Sequence, residues 1–194
     1  MNAVGQAAVR DEDNSRAPAF RRVLGPTFDT LPEPVRALHD LAHETRWTGR
    51  AEVRRGPGLI ARAVCAAIGF PRAGRSVPLT VTVTPGRGAE RWTRDFDGRR
   101  FASVLRPGSG SDAGMMVERF GAISIALLLR VEHGRLYLLP HRWSAFGVPL
   151  PRLLLPVGDS FEHAVDGRFA FDVEIGAPLV GRIVAYRGTL EPAA

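Results

Sequence analysis

The residues best suited to chemistry in this chain are charged and aromatic side chains inside predicted strands. Arg94 shares one strand face with Trp92 and Phe96, because side chains two residues apart in a strand point the same way. Glu118 lies in a short strand and is followed by Arg119. A charge that points into the sheet interior must be paired or bound to a ligand, since burying a lone charge is very costly. A charge on the outer face is an ordinary solvated group, and the sequence leaves both alternatives open.

A candidate binding site follows from the first alternative. Cations, a carboxylate, hydroxyls and aromatic rings are the groups that orient a ligand in an otherwise apolar pocket. The candidate ligand-binding residues are Trp92, Arg94, Ser103, Glu118, Arg119, Trp143, Phe171 and Tyr186. In a second interpretation, His39 and Glu118 perform acid–base chemistry in the same cavity.

Two histidines on the first predicted helix have the spacing of a metal site. His39 and His43 are four residues apart, beside Asp40 and Glu44, so both imidazoles would lie on one helix face. No third ligand accompanies them at a convincing spacing, and the catalytic glutamate of a zinc protease is not in place. The pattern therefore favours an exposed polar face, and we expect no bound metal.

No motif for a nucleophile or a cofactor stands out. Cys65 lies inside an apolar helix, where an inert buried thiol is usual. Ser109 and Ser111 belong to a Pro-Gly-Ser-Gly-Ser run that lacks the Gly-Lys-Ser/Thr ending of a phosphate-binding loop. No Gly-x-Gly-x-x-Gly sequence follows a predicted strand. We therefore expect no cofactor.

Three glycine-containing turns position these residues. Asp97-Gly98, His133-Gly134 and Asp166-Gly167 each separate two strand-like runs. Such pairs adopt the positive φ angles of a type I′ turn, whose twist matches that of an antiparallel hairpin. The turns predict a long antiparallel meander, with an irregular, proline-rich excursion over residues 145–156.

Two helices precede the meander, separated by a strand over residues 47–55. The first, over residues 28–44, begins at the capping-box spacing Thr30-x-x-Glu33. The second, over residues 57–68, is apolar on nearly every face and should be covered on most sides. The predicted class is α+β, mainly antiparallel β. A meander of about nine or ten strands should curl into a barrel or a helix-grip-like sheet.

The alternation of apolar and polar residues predicts a shared interior. Phe169, Phe171, Val173 and Ile175 lie on one face of a late strand, and Leu79, Val81 and Val83 on one face of an early strand. Strands of this kind have one buried and one wet face. We expect both sets to face a common interior with the second helix.

Composition limits the class of protein. The 194 residues suit one domain, predicted over 20–194 after a disordered tail over 1–19 without apolar periodicity. A single cysteine excludes an intrachain disulfide, and the N-terminus does not resemble a signal peptide, so we expect a cytoplasmic protein. The longest apolar run, 122–129, is far shorter than a membrane span. All 26 basic residues are arginines scattered along the chain, a pattern that argues against nucleic-acid binding despite the net charge of +6.

Six segments resemble a known family. In chain order they are LPEPVRALHD, RRGPGLIAR, ERWTRDF, VERFGA, FGVPLPRLLLP and DGRFAFDVEIGAPLVGRIVAYRGTLEP, and they are similar to the bacterial domain-of-unknown-function 4166 family. The resemblance covers about residues 25–192. Residues on these motifs include His39, Arg55, Trp92, Arg94, Glu118, Arg119, Pro149, Pro151, Tyr186 and Gly188.

The resemblance implies a context rather than a mechanism. Family members occur alone or fused to NAD(P)-binding epimerase- or dehydrogenase-like domains, so an NAD(P)-binding partner protein is one expectation. Two hypotheses follow. The first is a non-catalytic module that encloses an apolar or amphipathic, lipid-like molecule, whose carboxylate or phosphate head would meet Arg94 or Arg119. The second is an enzyme, or an accessory domain of an oxidoreductase or epimerase system, and a purely structural role is a third possibility.

Overall fold

Ten antiparallel strands close into a barrel in a computed structural model that describes residues 17–193. The ring closes because the seventh strand pairs with both the sixth and the ninth. The eighth strand pairs with the seventh outside the ring. Asp97, His133 and Asp166 have φ angles of 51°, 50° and 50°, each followed by a glycine at positive φ, as the predicted turns require. The predicted mainly antiparallel fold is confirmed, in its barrel form.

The strand order around the ring follows the chain except at one place. It runs β6-β5-β4-β3-β2-β1-β11-β10-β9-β7, with β8 added beside β7. The strands are β1 Thr45–Arg55, β2 Gly74–Gly86, β3 Ala89–Phe96, β4 Arg99–Pro107, β5 Met116–Phe120, β6 Ile123–Glu132, β7 Arg135–Ala145, β8 Val148–Pro149, β9 Ser160–Val165, β10 Arg168–Ala177 and β11 Gly181–Pro192.

The helices differ from the prediction at the N-terminal side. They are α1 Ala19–Leu24, α2 Glu33–His39 and α3 Leu59–Ile68, with 3₁₀ turns at Gly25–Thr30, Gly110–Asp112 and Arg152–Leu154. The predicted helix over 28–44 is wrong in extent: it begins only at Glu33, after Pro32 and without the predicted Thr30 cap, and it ends because Asp40 leaves the helical region at φ −93° and ψ 70°. His43 therefore lies beyond the helix and is exposed, whereas His39 is buried. The spacing of four residues does not place the two imidazoles on one face.

The predicted tail over residues 1–19 lies mostly outside the described residues. At its end, Ala19 begins α1 and is buried. The Ala19 N–H donates a hydrogen bond of 2.7 Å to Oε1 of the buried Glu90, whose Oε2 accepts a hydrogen bond from the Trp92 indole. This carboxylate ties α1 to the barrel wall.

Helices α1 and α2 close one end of the barrel. The side chains of Phe20, Phe28 and Leu38 are fully buried there, and Pro32, directly before α2, lies beside the His133-Gly134 turn. This closed end positions His39, the last residue of α2, against the strand wall.

Helix α3 lies at the opposite end and is covered on one face only. Ala61 and Cys65 are fully buried, and the Cys65 thiol donates to the Ile183 carbonyl at the start of β11. Leu59 and Ile60 are 80% and 62% exposed. The expectation of a helix covered on most sides is wrong, since α3 packs on the barrel rim and not inside the sheet. The Cys65 thiol is buried as predicted, and burial raises its pKa.

The predicted interior is confirmed. Leu79, Val81 and Val83 of β2 belong to the same core as Phe169 and Phe171 of β10. Val173 and Ile175 pack against that core, which also contains the buried residues of α3.

Candidate functional site

A cavity of about 130 Å³ lies inside the barrel. Its walls are mostly aliphatic and aromatic, and they include Leu79, Val81, Phe96, Leu127, Leu138 and Phe169. Pro156 and Val157, from the segment between β8 and β9, line it near the end where α3 lies. Arg94, Glu118, Glu162 and Tyr186 contribute the polar groups on which the chemistry of this cavity depends.

The first polar group is a network of three side chains on adjacent strands. Arg94 of β3 donates to the Ser103 hydroxyl at 2.9 Å, and that hydroxyl donates to Glu118 Oε1 at 2.6 Å. Arg94 Nη2 also lies 3.5 Å from Glu118 Oε1. The guanidinium stands over the rings of Trp92 and Phe101, 5.4 and 5.5 Å from their centroids. The Arg94 charge is therefore balanced by Glu118 within the wall.

The second polar group joins β9 to α2. Glu162 lines the cavity, and its Oε2 lies 2.5 Å from Nε2 of His39. His39 is fully buried, with its ring centroid 3.7 Å from that of Phe20 and 5.3 Å from that of Trp92. Its Nδ1 has no hydrogen-bond partner among the described residues. His39 therefore holds the Glu162 carboxyl from behind and does not itself line the cavity.

Tyr186 of β11 is the third polar group. Its ring packs edge-on to Phe96, with centroids 5.3 Å apart, and lies 6.1 Å from Phe171. Burial raises the pKa of Tyr186 to about 12; Arg94 opposes this rise, while Glu118 and Glu162 add to it. The hydroxyl is thus a neutral hydrogen-bonding group over the whole physiological range.

The tyrosine predicts a loss of stability at high pH. An unfolded tyrosine ionises near pH 10, whereas folded Tyr186 stays protonated to about pH 12, so the unfolded state binds fewer protons between these values. The contribution of Tyr186 to the free energy of unfolding is therefore complete below pH 10 and should fall by about 2 kcal/mol by pH 12. Urea unfolding of the parent protein and of Tyr186→Phe measures it.

The Tyr186→Phe variant should lose less stability than the parent over this pH interval. The chain contains one other tyrosine, and in a Tyr137→Phe background the phenolate absorbance of the folded protein should rise only near pH 12. A rise near pH 10 in that background, together with parallel stability curves for the parent protein and Tyr186→Phe, would contradict the burial of this hydroxyl.

The structure brings together most of the candidate residues. Trp92, Arg94, Glu118, Phe171 and Tyr186 line the cavity, and Ser103 lies behind them in the Arg94–Glu118 network. Two candidates lie elsewhere. Arg119 is exposed, and Trp143 is half-buried at the rim, where its indole donates to the Pro151 carbonyl.

Of the acid–base candidates, Glu118 lines the cavity and His39 lies behind Glu162, so the structure does not join them. Glu162 is a cavity residue absent from the candidate set. The Asp166-Gly167 turn carries the missed signal, because a two-residue turn there pairs Phe171 with Glu162. Paired residues of neighbouring strands share a sheet face, so Glu162 had to face the same interior as Phe171.

Within residues 17–193, no three side chains of histidine, cysteine, aspartate or glutamate are grouped to hold a metal ion. In the same range no helix is long and apolar enough to cross a membrane.

The fold and the cavity define a closed antiparallel barrel protein whose small, mostly apolar interior site contains a few polar side chains. The chain belongs to the family described as Domain of unknown function (DUF4166), whose model matches residues 31–190. The family resemblance of the sequence motifs is thereby confirmed. No curated protein and no solved structure matches this chain.

Proposed function

We propose that the barrel is a non-catalytic binding module for a compact, mostly apolar molecule. The observation that carries this proposal is the cavity between the strands, lined by apolar side chains with a few convergent polar groups. This is the usual composition of a small-molecule site.

The volume limits the size of the ligand. The cavity measures about 130 Å³. Dry apolar cavities of ~150 Å³ in other proteins accommodate benzene. A ring or a short branched chain fits this space, and the extended chain of a long fatty acid exceeds it. We therefore favour a compact ligand over the lipid-like one that the sequence suggests.

The polar groups favour a neutral head on that ligand. Arg94 is paired with Glu118, so it does not offer an unbalanced positive charge to a carboxylate or phosphate. Glu162 offers acceptor oxygens and Tyr186 a hydroxyl to the same cavity. A ligand hydroxyl can donate to the first and accept from the second, and both bonds would form away from bulk water.

A cavity-filling substitution tests the proposal. Leu127 of β6 lines the cavity and is buried, whereas its neighbour Leu128 is 41% exposed. Leu127→Phe should weaken the binding of benzyl alcohol at least tenfold, because the added ring atoms occupy the ligand's space. Leu128→Phe adds the same atoms outside the barrel and should leave the affinity unchanged. Ligand-observed NMR titration measures the dissociation constants, with circular dichroism to check folding.

Decanoate provides the comparison for ligand type. We expect the parent protein to bind benzyl alcohol saturably and more tightly than decanoate. Saturable binding of neither probe, or equal losses in the two phenylalanine variants, would overturn the proposed cavity ligand. Tighter decanoate binding that Arg94→Met abolishes would instead support an amphipathic acid and overturn the neutral head.

Acid–base catalysis is a second candidate, favoured by one contact. Glu162 lines the cavity, and its contact with His39 fixes the orientation of its carboxyl group. In this role Glu162 would take or give a proton while Tyr186 hydrogen-bonds the substrate. The module would then act beside an NAD(P)-binding partner protein in the cytoplasm. Turnover of a bound carbonyl compound in the presence of such a partner, lost in Glu162→Gln, would establish this candidate.

A further inference from the structure

The two ends of the barrel differ in the residues they expose. Of the ten large hydrophobic residues that are exposed within residues 17–193, eight lie at the end that carries α3, and we call them the apolar rim: Leu59, Ile60, Phe146, Val148, Leu153, Leu154, Val157 and Leu179. They come from the start of α3, the β7–β8 turn, β8, the segment before β9 and the β10–β11 turn. At the closed end the turns carry polar residues, among them Arg87, His133 and Asp166.

Two rim residues occupy turn positions that disfavour them. Phe146 has φ 52° and is 88% exposed, and Leu179 has φ 66° and is 99% exposed. The left-handed region suits glycine, asparagine and aspartate, and a bulky side chain there is strained. Neither side chain gains burial in the folded barrel that would offset this strain. Strain at exposed apolar tips points to a contact outside the chain.

Positive charge accompanies the apolar rim. Exposed arginines at this end that form no ion pair among the described residues include Arg62, Arg119 and Arg152. Arg62 follows Leu59 by three residues in α3, and Arg152 precedes Leu153 directly. The exposed acids that form no ion pair at this end of the described chain are Asp97 and Asp159. The rim therefore combines protruding apolar tips with a net positive charge.

We propose that the apolar rim docks on a membrane surface that carries anionic headgroups. Phe146 and Leu179 enter the boundary between headgroups and acyl chains, and the arginines meet the phosphates. Apolar tips next to arginines suit this arrangement, because interfacial binding combines buried apolar area with attraction to anionic lipid. Since the tips come from separate loops, a fluid surface can accept them without a matching rigid shape. The cavity has its Pro156–Val157 wall at this same end, so docking would place the site beside the membrane.

Vesicle co-sedimentation tests the docking surface. The purified protein is mixed with vesicles of phosphatidylcholine alone and of phosphatidylcholine with phosphatidylglycerol in equal parts. We expect binding to the mixed vesicles and much weaker binding to phosphatidylcholine alone. Phe146→Asn and Leu179→Asn should each weaken that binding about tenfold, since one apolar anchor is lost. Asparagine tolerates the left-handed conformation, so thermal stability should stay constant or rise.

Control variants distinguish this docking surface from nonspecific hydrophobic binding, and they distinguish this proposal from the proposed cavity ligand. Leu128→Asn removes an exposed leucine on the side of the barrel and should leave vesicle binding unchanged. Arg62→Gln with Arg152→Gln should reduce the preference for phosphatidylglycerol. Leu127→Phe should bind vesicles like the parent protein, so failure of the cavity proposal is distinguishable from failure of this one.

Three results would overturn the docking surface. One is the absence of sedimentation with either vesicle, and another is vesicle binding that Phe146→Asn and Leu179→Asn leave intact. The third is self-association of the parent protein, measured by sedimentation velocity, that these two variants abolish. In that case the rim binds a second copy of the chain instead of a lipid surface.

Discussion

Replacing His39 with alanine is expected to lower the free energy of unfolding by about 3–5 kcal/mol. The histidine is fully buried, and its Nε2 lies 2.5 Å from Glu162 Oε2. Removing it leaves the Glu162 carboxyl without its partner in a low-dielectric site. It also removes a ring that packs against Phe20 and Trp92. Equilibrium unfolding in urea measures the loss.

A double-mutant cycle separates the hydrogen bond from the packing. His39→Phe keeps an aromatic ring of similar size but leaves Glu162 unpaired, so it should still be destabilising. Adding Glu162→Leu to His39→Phe should recover part of the stability, because replacing both partners of a buried polar pair with apolar groups is often neutral. Additive losses in the cycle would show that the two side chains do not act as a pair.

The second large effect is expected at Phe171, with a cost of about 3 kcal/mol for Phe171→Ala. The phenyl ring packs near Phe169 and Tyr186 but also borders the cavity, so it has fewer atoms around it than a close-packed core ring. Phe20→Ala is the comparison, since Phe20 is 1% exposed and does not line the cavity. It should cost about 4–5 kcal/mol, at the upper end of the range for phenylalanine.

The Phe171→Ala variant should also change what the cavity accepts. Removing the ring enlarges the cavity, so the affinity for larger aromatic alcohols such as 1-naphthol should rise relative to that for benzyl alcohol. Urea unfolding measures the loss of stability, and NMR titration measures the change in probe preference. Parent-like stability together with unchanged probe preference would contradict a role for Phe171 in the interior and in the site.

Local pattern accounts for most of the sheet. Each two-residue turn sets the pairing of its hairpin, so Asp97-Gly98 places Arg94 opposite Phe101, and the next inward pair is Trp92 with Ser103. Period-two alternation then orients the apolar residues of β2 and β10 toward a common interior. The helix over 59–68 was also predictable, since Gly69 ends it at φ 84°.

Other features depend on contacts far apart along the chain. The coverage of α3 could not be predicted from its composition, because an apolar helix can pack on a rim with one face exposed. The end of α2 at His39 was missed because Asp40 leaves the helix where α2 meets β9 and β10. Arg119 and Trp143 carry suitable chemistry, but only their placement in the folded barrel shows that they do not line the cavity.

By itself the sequence determined the hairpins and the alternation, but it left open whether Arg94 and Glu118 face the interior, where the structure joins them through Ser103. Only the tertiary structure decided that β7 pairs with both β6 and β9, which closes the ring and creates the cavity. It also decided the contact between His39 and Glu162, which are 123 residues apart in the chain. The physical reason is that turn geometry and side-chain period act over a few residues. Ring closure and the docking of α2 depend on the packing of the whole core.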